Sequence, residues 1–184
     1  HPLADRADGL VESIELEREL LQPLESIATS TIDTARLRSR ELRRVIRDRY
    51  GRVGTLHLML MSFGFKNGIP NEADLVFDAR FLDNPFDVRE LRPQSGFDEP
   101  VARYVLDQAD AGALLEQVEG LVRFQAPRTL REGRSYMTVA IGCTGGQHRS
   151  VALVEELARR FTHGEPLTQP EARMAVSHRD VKRS

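Results

Sequence analysis

The sequence predicts an α/β protein with a largely parallel sheet flanked by helices, and three observations predict it. Apolar runs at 55–63, 74–81 and 135–142 have the length of buried strands and are bounded by Gly- and Pro-bearing loops. Longer stretches of helical periodicity alternate with them, as a sheet with crossover helices requires. The third run leads through IGCTGGQHRSV (141–151) straight into a helical pattern, and this strand–glycine turn–helix order is typical of an α/β layer.

In chain order, DGLVESIELERELLQ (8–22) reads as a helix with Asp8 as a cap, Leu10, Ile14 and Leu21 on a buried stripe, and Pro23 as its end. IATSTI (27–32) reads as a short strand. A second helix, ARLRSRELRRVIRDRY, starts after Asp33 or Thr34. Leu37, Leu42, Val45, Ile46 and Tyr50 gather mainly on one side of it, and seven arginines spread around the rest. Those arginines suit a solvated face or a contact surface for phosphates, and composition does not separate the two. GRVG (51–54) marks a hinge. TLHLMLMSF and DLVFDARF are strands joined through the turn-rich GFKNGIP. DEPVARYVLDQA and AGALLEQVEGLVRF are helices, the first with Asp98 as cap and Pro100 near its start. SYMTVAIG is a strand, HRSVALVEELARRF (148–161) a helix, and EARMAVSHRDVKRS a last strand running into a basic tail.

The chain has 184 residues and a formal net charge of −2, with positive charge concentrated in 36–52 and at the C-terminus. Apolar and charged fractions are those of a globular protein, and no apolar run has the length of a membrane span. A single cysteine excludes an internal disulfide and fits a reducing cytoplasm. His57, His148, His163 and His178 lack metal-ligand spacing, so no structural zinc is expected. The chain begins His1-Pro2-Leu3 without Met or signal pattern, and is expected to lack a natural N-terminal part.

The glycine-rich loop carries the chemistry. Backbone N–H groups at a helix N-terminus converge and, with the helix dipole, favour an anion. Gly142, Gly145 and Gly146 allow close approach, Thr144 adds a hydroxyl, His148 another polar group, and Arg149 a guanidinium that forms paired bonds to phosphate oxygens. A plain packing turn needs less polarity than Thr, His and Arg supply. Cys143 and Arg149 also stand in the C-x5-R-S spacing of cysteine-dependent phosphatases, where a thiolate at a helix N-terminus attacks phosphorus. Gly142 occupies the place of the histidine usual before that cysteine, and no aspartate stands out as general acid. Asp78 and Arg80 alternate around Ala79 and face the same way, as an ion pair or as groups for a ligand's hydroxyls or amine. Lys66 reaches the same crevice if strands 55–63 and 135–142 are neighbours.

Three segments, FGFKNGIPNEADLVFDARFLDNPF, LRPQSGFDEPV and VAIGCTGGQHRSV, resemble in order the C-terminal domain of the RapZ/YvcJ family of bacterial nucleotide-binding proteins, over about 55–180. HPL, ER-x-x-L-x-PL and IDTARL resemble the end of that family's P-loop domain. The resemblance implies residues 1–52 as a remnant of the P-loop domain and 53–184 as a phosphofructokinase-subdomain-like α/β domain with a basic tail. The chain has no Walker A motif, so ATP or GTP is expected only with a segment outside it. Further implications are a homo-oligomer, sensing of glucosamine-6-phosphate, and binding of a small RNA presented to an endoribonuclease. The sugar-phosphate positions that the resemblance implies are Asp78, Arg80, Cys143, Thr144, Gly145, His148 and Arg149, and the reading of the loop itself adds Lys66 and Gly146 as ligand-binding residues. The basic tail, His178, Arg179, Lys182 and Arg183, suits contact with RNA phosphates or a solvated terminus. Phe86 departs from the enterobacterial relatives, which carry a histidine there, and its ring donates no hydrogen bond.

Overall fold

A computed structural model describes residues 2–3, 6, 8–50 and 54–181; the predicted hinge at 51–53 and the end of the tail at 182–184 lie outside the described residues. The chain divides into two compact units, 1–46 and 47–184.

The first unit holds α1 (Leu10–Ile27) and the start of α2 (Ser39–Tyr50). Sequence reading ended α1 at Pro23, but the helix runs through it and closes with the Ala28 N–H on the Leu24 carbonyl. Proline forfeits one N–H and crowds the preceding turn, yet a helix already nucleated on both sides can absorb that loss. The predicted buried stripe is not buried: Leu10, Ile14 and Leu21 are exposed, in a unit too small to enclose a core. Of the predicted strand at 27–32, Ile27 ends α1 and 28–32 are irregular chain, with no strand among the described residues of this unit to pair with. The second helix starts later than expected. Asp33 Oδ1 accepts the Ala35 N–H at 2.9 Å and holds a turn there, and Glu41 reaches back to the Arg38 N–H at 2.8 Å to begin the helix.

The second unit is an α/β layer. Four parallel strands, β1 (His57–Gly64), β2 (Leu75–Asp78), β3 (Tyr136–Cys143) and β4 (Arg173–His178), lie in the order β2-β3-β1-β4. Both central strands, β1 and β3, read as near-continuous apolar runs because little of either reaches solvent. In register, Leu58 stands beside Met137 and Leu60 beside Val139. These four join one buried cluster with Leu115, Val118 and Val122 of α4 (Ala109–Glu132) and Leu153, Val154 and Leu157 of α5 (Arg149–His163). Each such side chain stabilises the fold by about 1.5–3 kcal/mol relative to exposure. Met61, Phe63 and Ala140 form a smaller cluster with Phe65 and Ala73.

α3 (Glu99–Leu106) starts at Asp98 with Pro100 in its first turn, as predicted. The Asp98 carboxylate does not cap it, however. It turns back to accept the Ser95 N–H and hydroxyl at 2.7 and 2.9 Å, which lowers its pKa below the usual carboxylate value. α4 continues through Pro127 to Glu132 and ends on Gly133, whose left-handed backbone closes the helix. Among the described residues no helix is long and apolar enough to cross a membrane.

All strands being parallel, Gly64, Asp78, Cys143 and His178 finish at the same edge of the sheet. The segments that follow them therefore meet there, and every described site residue predicted for this unit belongs to one of those segments or borders it.

Candidate functional site

The loop between β3 and α5 is seated by backbone contacts. Gly146 has φ +75°, and a Cβ there would lie 2.7 Å from the Gly64 nitrogen and 2.8 Å from Asp180 Cβ. Both its conformation and its surroundings require glycine. The Lys66 N–H donates to the Thr144 carbonyl at 3.3 Å, and the Gly96 N–H to the Gln147 carbonyl at 2.9 Å. Neighbouring segments thus fix the loop from two sides.

Its innermost donors turn onto sulfur. The Gly146 N–H points to Cys143 Sγ at 3.2 Å, and Ser150 Oγ lies at 3.2 Å from the same atom. Cys143 is buried. Burial pushes its thiol pKa up, but Ser150 through hydroxyl and N–H, the Gly146 N–H and the Arg149 charge outweigh it, and the thiol ionises below its ordinary range.

Arg149, the first residue of α5, is only 4% exposed. One terminal nitrogen donates to the carbonyls of Arg80 at 3.0 Å and Leu82 at 2.7 Å, and the other to Thr144 Oγ1 at 3.2 Å. Its Nε has no partner, nor has Nε2 of the neighbouring His148, which is 8% exposed. Among the described residues Arg149 forms no ion pair with a carboxylate. A buried guanidinium that bonds only carbonyls and a hydroxyl has given up its water without a charged hydrogen-bond partner among the described residues, Asp78 acting on it through space alone, and an anion would complete the site. The sulfur of Cys143, when ionised, is the anion nearest in the loop.

Three cationic and polar side chains border the loop. The Lys66 ammonium lies 3.9 Å from the place a Cβ on Gly145 would take, so β1 and β3 are neighbours and Lys66 does reach the crevice. Arg80 makes paired bonds to Asp78, with its NH2 group 2.6 Å from Oδ2 and its Nε at 2.9 Å, and stacks 4.1 Å from the Phe65 ring centroid. The Arg80 side chain holds the Asp78 carboxyl below its usual range. Phe86 is half exposed, its ring 6.5 Å from that of His148, with Arg92 stacked on it at 4.7 Å and donating Nε to its carbonyl at 2.8 Å.

The predicted RNA-facing residues divide. Lys182 and Arg183 lie outside the described residues. His178 and Arg179 bond to neighbouring groups of the fold, Arg179 while remaining exposed. Nδ1 of His178 is 2.8 Å from Ser62 Oγ and Nε2 is 2.8 Å from Glu155 Oε1, while its ring packs edge-on to Phe97. Arg179 donates to the carbonyls of Gly68 at 2.7 Å and Gly64 at 3.3 Å. Sequence reasoning missed Ser62, Glu155 and Asp180 around them. Ser62 and Glu155 are ordinary polar residues within β1 and α5, Asp180 lies just past β4, and the partner that reveals each is far away in sequence. Among the described residues no His, Cys, Asp or Glu group has the arrangement of a metal site.

The arrangement has the elements of an oxyanion seat: a helix head, a buried cation without a carboxylate, a hydroxyl at Thr144, and Lys66 above the loop. Comparison with known proteins gives the family. The family model described as "RapZ C-terminal domain" matches residues 56–182. A "Nucleotide-binding protein" of Anaeromyxobacter sp. (strain K) is 47% identical over 186 residues, covering 100% of this chain and 61% of that protein. Namesakes in Acidobacterium capsulatum and Geobacillus thermodenitrificans are 43% and 44% identical, again over 100% of the chain, and 58% and 59% of their own lengths. The chain spans about three-fifths of the length of the curated relatives it matches.

Proposed function

The chain belongs to the RapZ C-terminal domain family, and from that premise we propose that its second unit is a binding module for a phosphorylated amino sugar of the glucosamine-6-phosphate kind. One observation carries the reading: the Arg149 guanidinium is buried at the head of α5 with carbonyl and hydroxyl partners but no carboxylate among the described residues. Phosphate supplies the missing charge. It takes the exposed side of the loop, where Thr144, Gly145 and Lys66 meet it, because the inner donors already hold Cys143 Sγ. Asp78, at the mouth beside Arg80, faces the sugar's ammonium and hydroxyls. Titration calorimetry with glucosamine-6-phosphate, glucose-6-phosphate and inorganic phosphate tests this. The amino sugar is expected to bind tightest, and heats indistinguishable from dilution for all three would overturn the proposal.

RNA binding is a further part of the proposal. Arg36 and Arg38 before α2 and Arg44 and Arg49 within it are exposed, and His178 and Arg179 hold bonds within the fold. RNA contact therefore falls on these arginines and on the residues after 181. Gel retardation of a structured RNA that weakens steeply with salt supports this, and salt-indifferent or absent retardation rejects it.

A second reading, cysteine-dependent phosphoryl transfer, has one observation in its favour: the donors that converge on Cys143 Sγ favour a thiolate. Against it, the sulfur is buried and no carboxylic acid stands over it among the described hydrogen bonds. Hydrolysis of an aryl phosphate that is lost in Cys143→Ser would favour this reading over binding.

A further inference from the structure

The C-terminal strand ends against the phosphate loop, and one residue joins them. Asp180 Oδ2 accepts the Gly64 N–H at 2.7 Å and is held by Arg179 through Nε at 3.1 Å and NH2 at 2.9 Å. The Asp180 carbonyl accepts from the Gln147 side chain, and the Arg179 N–H donates to the Ser62 carbonyl at 3.0 Å. On the other side, Gly64 packs on the loop backbone: a Cβ there would lie 2.6 Å from the Gly145 carbonyl carbon and 2.9 Å from the Gly146 nitrogen. Gly64 and Gly146 are therefore in van der Waals contact, and Asp180 abuts both of them. The side chain is only 12% exposed, and Arg179 cancels its charge at close range.

We infer that Asp180 is a positioning residue for the anion seat, holding Gly64 and, through it, the Gly145–Gly146 turn in the geometry that receives phosphate. Asp180 touches no ligand. Its carboxylate acts as an acceptor for the Gly64 N–H, and its net field at the site is small because Arg179 lies beside it. The inference rests on the binding reading above.

An acceptor and a charge make opposite predictions. If Asp180 acts by accepting the Gly64 N–H, Asp180→Asn keeps the function, since an amide oxygen accepts the same bond, and Asp180→Ala loses it. If it acts as a negative charge near an anion, removing the charge tightens binding in both variants. Calorimetry with inorganic phosphate on the wild type, Asp180→Asn and Asp180→Ala is the first arm, with thermal unfolding of each. Amide hydrogen exchange at Gly64 and Gly146, without ligand, is the second. Asp180→Ala is expected to weaken phosphate binding about tenfold and to speed exchange at both glycines, with Asp180→Asn within about threefold of wild type. Equal affinities in all three proteins would overturn the inference, as would an equal loss, or an equal gain, in both variants. The exchange arm needs no ligand. A wild type that binds no phosphate but shows the expected exchange difference overturns the binding reading and leaves the positioning role standing, whereas unchanged exchange in Asp180→Ala overturns the positioning role itself.

Discussion

Replacing Arg149 by alanine separates what this residue does for a ligand from what it does for the fold. In the unliganded protein the substitution removes bonds to the Arg80 and Leu82 carbonyls and to Thr144 Oγ1. It also removes a buried charge that has no carboxylate partner among the described residues. Those effects oppose each other, since hydrogen bonds from a charged group stabilise by about 1.5–3 kcal/mol each while desolvating an unpaired ion costs several kcal/mol. The unfolding midpoint is therefore expected to move only modestly. Binding has no such offset. The variant loses a full counter-charge to a dianion, worth about 3 kcal/mol if one charge-assisted contact is lost, or roughly a hundredfold in affinity. Arg149→Lys keeps the charge as a compact ammonium but not the planar fork, and falls between, at about tenfold. Calorimetry with glucosamine-6-phosphate gives the affinities, and thermal unfolding with and without the ligand gives the linkage. Ligand at about ten times the wild-type Kd should raise the wild-type midpoint and barely move that of Arg149→Ala. Affinity within threefold of wild type in Arg149→Ala would refute the reasoning, because the buried cation would then have no part in the site.

Gly146→Ala should destabilise the second unit by about 2 kcal/mol or more. A side chain at φ +75° is strained, and the new Cβ meets the Gly64 nitrogen and Asp180 Cβ inside 3 Å; a urea midpoint equal to wild type would show the loop to be loose. Asp78→Asn should change stability by less than about 1 kcal/mol, since the Asp78–Arg80 pair is half exposed, yet lower the preference for glucosamine-6-phosphate over glucose-6-phosphate in calorimetry. The Asp78 carboxyl titrates below its unfolded value, so what stability the pair gives is present above about pH 4 and lost as pH falls through the folded pKa. Thiolate absorbance should place Cys143 ionisation below the ordinary thiol range, and sulfate, which does not titrate there, should move it upward; a midpoint indifferent to sulfate would separate the thiol from the anion seat.

The central strands were legible because a parallel strand buried on both faces needs apolar residues throughout, and 57–64 and 136–143 supply them. Pro23 and the segment 27–32 were misread, because a proline's cost and a strand's existence both depend on neighbours that no local pattern encodes. The loop was readable for a related reason: Cys143, Thr144, the glycines and Arg149 are consecutive or nearly so, and the chemistry of a helix head is local. What Arg149 binds was not readable. Its partners are the main-chain carbonyls of residues 80 and 82, which any sequence would provide, and only the sheet order brings them to the helix head. Asp180 was hidden in the same way, by its distance in sequence from Gly64 and Gln147.

Cys143 and the proposed ligand compete for one cation, and that competition gives the site its direction. With the seat empty, Arg149, the Gly146 N–H and Ser150 favour the thiolate. A phosphate on the exposed side of the same loop offers Arg149 a second anion and repels the first, so binding raises the thiol pKa and the thiolate weakens binding by the same factor. The sign follows: affinity for a non-titrating anion falls as pH rises through the thiol's folded pKa, and Cys143→Ser, which carries no charge there, removes that fall. In a phosphatase the two anions must coexist, with sulfur aimed at phosphorus. Here the sulfur is buried beneath the turn that its own hydrogen bonds help to shape, so in its ionised form it would stand as an internal counter-ion to Arg149 beside the proposed ligand, without a bond to it.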